Sequence, residues 1–104
     1  MPSRASPEAM REDVHIQVTV PYPLREYTRG REAVELQAAT LAEAIGKLDD
    51  RFPGLGYRIL DDQGRLRRYV LAFVNQEPVT HLDPDAVQLR DGDIVYILPS
   101  VAGG

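Results

Sequence analysis

"TLAEAIGKLDDRFPG", residues 40–54, decides the fold. Thr40, followed three residues later by Glu43, is a capping box: each side chain takes one backbone donor that a helix start leaves open. Leu41, Ile45, Leu48 and Phe52 then fall at i, i+4, i+7 and i+11, which is one apolar stripe on a helical period. Pro53-Gly54 ends the run. The spacing predicts a single amphipathic helix. Such a helix must lay its stripe on something, and the flanking segments supply a sheet.

Upstream, "VHIQVTV" (14–20) alternates strictly. Val14, Ile16, Val18 and Val20 share one face, and His15, Gln17 and Thr19 the other, as in a half-buried strand. Pro21 and Pro23 end it. "PYPLREYTRG" (21–30) reads as loop. "REAVELQ" (31–37) reads as a second strand, with Val34 and Leu36 inward and Glu35 and Gln37 outward. A connection of about ten residues implies a hairpin with a wide loop rather than a tight turn. Residues 1–13 are polar, proline-containing and without hydrophobic period, so a disordered leader is expected before the domain.

Downstream, "LGYRILDDQGRLRR" (55–68) is mixed, and predicts a short helical turn and then a loop around Asp61–Gly64. "RYVLAFVN" (68–75) is a strand apolar on both faces: Val70, Ala72 and Val74 against Tyr69, Leu71 and Phe73. Asn75 to Pro78 reads as a turn, with Val79 opening a short edge strand. "HLDPDAVQL" (81–89) is loop with one helical turn. "RDGD" (90–93) turns the chain into "IVYIL" (94–98), again apolar on both faces. One helix covers one face of a sheet, which gives an α+β two-layer domain spanning residues 14–98. The first and last strands belong side by side at its centre. A mixed sheet of four to five strands on one main helix is the β-grasp, or ubiquitin-like, arrangement.

Composition removes several function classes. A net charge of -4 argues against nucleic acid and anionic membrane as main partners. The absence of cysteine excludes disulfides, a thiolate nucleophile and sulfur-ligated metal. His15 and His81 lie far apart with no ligand-like spacing, so no metal site is expected. No apolar run reaches membrane-spanning length and no signal-peptide core opens the chain, which points to the cytoplasm. Asp49-Asp50 and Asp61-Asp62 are adjacent acids that project in different directions, and neither a G-x-S-x-G elbow nor a glycine-rich phosphate loop is present. A non-enzymatic protein is expected.

What remains is a sheet face and an end. Two strands carry large apolar residues on both sides, so Tyr69, Leu71 and Phe73, with Tyr96 and Leu98, form a candidate partner-binding patch. The alternative is that the leader or a loop covers them. Arg65, Arg67 and Arg68 are either a solvated loop or an electrostatic dock for an acidic partner. In "LPSVAGG" (98–104), Pro99 has no N–H, so pairing is expected to stop there and a flexible tail, 99–104, to begin. The tail reaches about 20 Å at most. Val101 and Ala102 are small apolar anchors. Gly103 and Gly104 thread a channel too narrow for any Cβ. The reactive group delivered is the carboxylate of Gly104, a poor electrophile until activated as a mixed anhydride.

"VTVPYPLREYTRG", "ATLAEAIGKLDDRFPG", "FVNQEPV" and above all "RDGDIVYILPSVAGG" resemble the MoaD/ThiS family of sulfur carriers over about residues 14–104. The resemblance implies that Gly104 is adenylated and then converted to a thiocarboxylate, with Gly103 giving access. No cofactor is bound; ATP is used by a ubiquitin-activator-like adenylyltransferase/sulfurtransferase. The sulfur then passes to an accepting enzyme. "RILDDQGRLRRYV" and "ILPSVAGG" are closer to the CysO-like carriers that serve cysteine synthase. The Pro99-Ser100 pair departs from the Pro-Pro tail more usual where the acceptor is the large subunit of molybdopterin synthase, which stands second. The thiamine carriers are usually shorter. A ubiquitin-like modifier joined to proteins through Gly104 is the alternative from a different class, and a plain interaction domain the third.

Overall fold

The alternating segment becomes β1, Val14–Thr19, at the heart of a five-stranded sheet. The structure, a computed structural model, describes residues 12–100. Residues 1–11 and 101–104, and with them most of the expected leader and of the tail, lie outside the described residues. β1 pairs antiparallel with β2, Ala33–Ala38, in a register that puts Val18 opposite Val34 and Ile16 opposite Leu36. On its other side β1 runs parallel to β5, Ile94–Pro99, with Val18 beside Val95. β5 pairs antiparallel with β3, Val70–Val74, which carries the two-residue β4, Glu77–Pro78, at its outer edge. The order β2-β1-β5-β3-β4 sets the first and last strands together at the centre, as the sequence predicts.

The capping box is formed with one change of partner. Glu43 N donates to Thr40 Oγ1 at 3.1 Å, while Glu43 Oε1 accepts from Ala39 N at 2.9 Å, one residue before the cap. The helix, α1, spans Leu41–Arg51 and buries Leu41, Ala44, Ile45 and Leu48 against the inward side chains of the sheet. Phe52 closes the stripe. The expected helical turn beyond is α2, Leu55–Ile59, whose Leu55 and Ile59 are fully buried. Asp49 ties the two helices together: its Oδ1 accepts from Gly54 N at 3.0 Å and Gly56 N at 2.9 Å. A Cβ on Gly56 would stand 2.8 Å from Asp49 Cβ, so this close approach requires glycine.

Two expectations are corrected. Asn75–Pro78 is not all turn: Asn75 takes φ 56° and makes the turn with Gln76, so Glu77 and Pro78 already pair with Val74 and Phe73. Val79 follows β4 rather than opening it, and its N–H still donates to Ala72 O at 2.9 Å. Nor does Pro99 end the ladder. It sits opposite Val70 inside β5, and Ser100 N donates to Tyr69 O at 2.9 Å one residue further on. In an antiparallel pair only alternate residues exchange bonds with a given neighbour. Ser100 and Tyr69 exchange one, so Pro99's missing N–H faces the side where β1 has already ended. Pairing therefore reaches at least Ser100, beyond the expected boundary at residue 98.

The D-G-D segment clasps the opposite end of the sheet. Gly92, at φ 88°, donates its N–H to His15 O at 2.8 Å, and Asp91 Oδ1 accepts from His15 N at 3.1 Å. Asp93 is 6% exposed. Its Oδ1 accepts from Asn75 Nδ2 at 2.9 Å and its Oδ2 from Arg90 N at 2.7 Å. Asn75 Oδ1 in turn accepts from Ile94 N at 3.0 Å. Asp93→Ala leaves these donors without their acceptor, which costs about 1–3 kcal/mol. The expected reading is a lower urea midpoint with an unchanged slope.

Candidate docking face and tail root

Strand alternation places the candidate patch. Val70, Ala72 and Val74 are buried beneath the helices, so Leu71 and Phe73 point the other way. The register then sets Leu71 opposite Leu98 and Phe73 opposite Tyr96, two apolar cross-strand pairs. Leu71, Phe73 and Tyr96 are half-buried and Leu98 is 38% exposed. On β1 and β2 the same face carries His15, Gln17, Thr19, Glu35 and Gln37. The open face is thus apolar over β3 and β5 and polar over β1 and β2, and neither helix covers it.

Tyr69 is separated from this group. It lies in a turn before β3, 46% exposed, and lines a cleft of about 330 Å³ at the end of the sheet. Pro21, Leu24 and Tyr27 of the β1–β2 loop form one wall, and Leu98 and Pro99 another. Arg58 lies 5.7 Å over the Tyr27 ring and donates through Nε to Tyr27 Oη at 2.7 Å. Pro99, on the cleft, and Ser100, bonded to Tyr69, make this the root of the tail. Val101, Ala102, Gly103 and Gly104 lie outside the described residues.

The basic trio does not act as one group. Arg67 is committed locally, with its guanidinium 4.3 Å over the Tyr57 ring and its Nε donating to Tyr57 O at 2.6 Å. Arg65 and Arg68 are exposed. One acid of each adjacent pair serves a turn: Asp49 as above, and Asp61, whose Oδ1 accepts from Gln63 N and Arg65 N. Those backbone N–H groups, Arg65's first, hold the Asp61 carboxyl below the usual carboxylate range. Among the described residues no histidine or carboxylate cluster could hold a metal, and no helix is long and apolar enough to cross a membrane. Missing from the sequence reading were Tyr27 and Arg58. "PYPLREY" interleaves prolines, tyrosines and an arginine, a composition suited to building walls, but it was legible only as a connection.

A β-grasp sheet with an apolar open face leading to the root of its last strand defines a ubiquitin-like protein. The chain belongs to the ThiS family, whose model matches residues 18–104. It is 37% identical over 93 residues to the sulfur carrier protein CysO of Mycobacterium tuberculosis, covering 88% of this chain and all of that protein. The crystal structure of M. tuberculosis CysO superposes with a TM-score of 0.77 at 35% identity, over 83% of this chain and 99% of that one. A chain of the Amycolatopsis orientalis BexX/CysO complex gives the same TM-score and identity, over 86% and 99%. Small archaeal modifier protein 3 of Haloferax volcanii is 38% identical over 66 residues, 64% of this chain and 71% of that protein. The kinship is with carriers and modifiers rather than with enzymes.

Proposed function

We propose that this chain is a sulfur carrier for cysteine biosynthesis, loaded at Gly104. The observation that carries the reading is the match to CysO along the whole of that protein. In the first step the Gly104 carboxylate attacks the α-phosphorus of ATP on a separate activating enzyme, forming the acyl adenylate and releasing pyrophosphate. In the second, a sulfide nucleophile adds to the acyl carbon and AMP leaves with its bonding pair, giving the thiocarboxylate. Gly103 and Gly104 offer no Cβ to either attack. Val101 and Ala102 seat the arm in the partner. The face formed by Leu71, Phe73, Tyr96 and Leu98 docks first on the adenylyltransferase/sulfurtransferase and then on the accepting enzyme. Cysteine synthase is favoured as acceptor, with the large subunit of molybdopterin synthase the next candidate.

The test is intact mass after incubation with the activating enzyme, ATP and sulfide. The expected product is heavier by one sulfur in place of one oxygen, and Phe73→Glu, which charges the docking face, loads more slowly. An unchanged mass in the wild-type protein overturns the reading. A second reading, a protein modifier, is favoured by the relationship to small archaeal modifier protein 3. It predicts ladders of heavier conjugates in cell extract. Any lysine-linked chain of this protein with itself would run through Lys47, its sole lysine, which is 42% exposed beside Asp13.

A further inference from the structure

The charge of this chain is unevenly placed. Residues 21–32 carry Arg25, Arg29 and Arg31 against Glu26 and Glu32. Residues 58–69 carry Arg58, Arg65, Arg67 and Arg68 against Asp61 and Asp62. Together the two segments hold +3 in a chain whose total is -4. The fold brings them to one place. Arg58 is bonded to Tyr27, joining the second segment to the first. Tyr69 is bonded to Ser100, joining both to the tail root. Arg25 Nε donates to Val20 O at 2.9 Å, fixing the loop at the end of β1.

None of these seven guanidinium groups forms an ion pair among the described residues. Arg29, Arg31, Arg58, Arg65 and Arg68 are exposed. A surface evolved only for solubility intersperses its signs. Here Arg58 lines the cleft beside Glu26, the exposed cations lie in the two segments that supply its walls, and Leu24, Tyr27 and Tyr69 offer an apolar socket.

We infer that this end of the sheet is an electropositive collar that docks an acidic surface of the enzyme that loads the tail. The matching surface presents carboxylates around one apolar or aromatic side chain, which enters the cleft beside Pro99. The inference rests on the carrier reading and adds to it the chemistry of the partner. Charges at an interface rim steer encounter and fix orientation more than they hold the complex. Their effect therefore falls on KM and is removed by salt, while turnover of the bound complex is untouched.

The experiment is steady-state thiocarboxylation by the source organism's own activating enzyme, comparing wild type with the triple variant Arg29→Glu, Arg31→Glu, Arg68→Glu. At low salt the variant's KM is expected to rise about tenfold or more, with kcat within about twofold. At about 1 M salt, where the screening length is about 3 Å, the difference should vanish. Lysine at the same three positions should keep KM near wild type. A variant with unchanged KM at low salt overturns the collar while leaving the carrier reading intact, as does a fall in kcat at constant KM. Wild-type protein that is never loaded overturns the carrier reading, and the collar with it.

Discussion

Deleting Gly104 is expected to abolish thiocarboxylate formation and leave thermal unfolding unchanged. The shortened chain still ends in a glycine carboxylate, so the chemistry of the group is preserved and only its position changes. One residue of extended chain is roughly 3.3 Å. A misplacement of about 1 Å at a reacting centre can cost about 100-fold, so the displaced carboxylate falls out of reach of the α-phosphorus. Stability should not follow, because among the described residues the buried apolar core runs from Ile16 to Ile97, and a terminal glycine has no side chain to add to it. Intact mass after incubation with activating enzyme, ATP and sulfide reads the first effect, and a melting curve the second. A large drop in melting temperature would give the tail a structural part and remove the delivery role assigned to it.

The largest effect on stability is expected from Leu48→Ala. Leu48 is fully buried in the α1 stripe and belongs to the hydrophobic core. Leucine-to-alanine truncation in such a core costs about 2–5 kcal/mol, against a total stability of about 5–15 kcal/mol for a domain. At about 4–8 °C per kcal/mol for a domain of this size, the melting temperature falls by about 10 °C or more. Leu98→Ala is the informative companion. Leu98 sits 38% exposed on the open face, and its truncation should change the melting temperature little while weakening association with the activating enzyme. Opposite outcomes for two leucines in one small domain separate the face that holds the fold from the face that meets partners.

Much of this was legible because local rules and global packing agree. The alternation of residues 14–20, the Thr40–Glu43 cap and the Leu41-Ile45-Leu48-Phe52 stripe each state their own structure, and one helix with several strands leaves few ways to close a core. Val70, Ala72 and Val74 belong to the inner face, as their small side chains predict, because small side chains allow close packing under a helix. Failures fell where the deciding partner is distant in sequence. Pro99 was read from its own missing N–H, whereas its position depends on which neighbour that N–H would have faced. Asn75 was read as part of a longer turn, whereas its left-handed conformation is held by Asp93. Tyr69 was grouped with Leu71 and Phe73 by parity, yet the chain turns before β3 and sets it at the tail root. Arg58 gave no signal alone, since its meaning comes from Tyr27 across the cleft.

The adjacency of β1 and β5 has a consequence for how the protein is made. The central pairing of the sheet joins the first strand synthesised to the last, and such long-range contacts must meet the full entropy of closing the chain between them. A nascent polypeptide that has emerged only as far as the D-G-D turn has α1 and its first hairpin but no middle to its sheet. Val18 and Val74 then have no Val95 between them, and the core cannot close. The domain therefore folds late in translation, once β5 has left the ribosome.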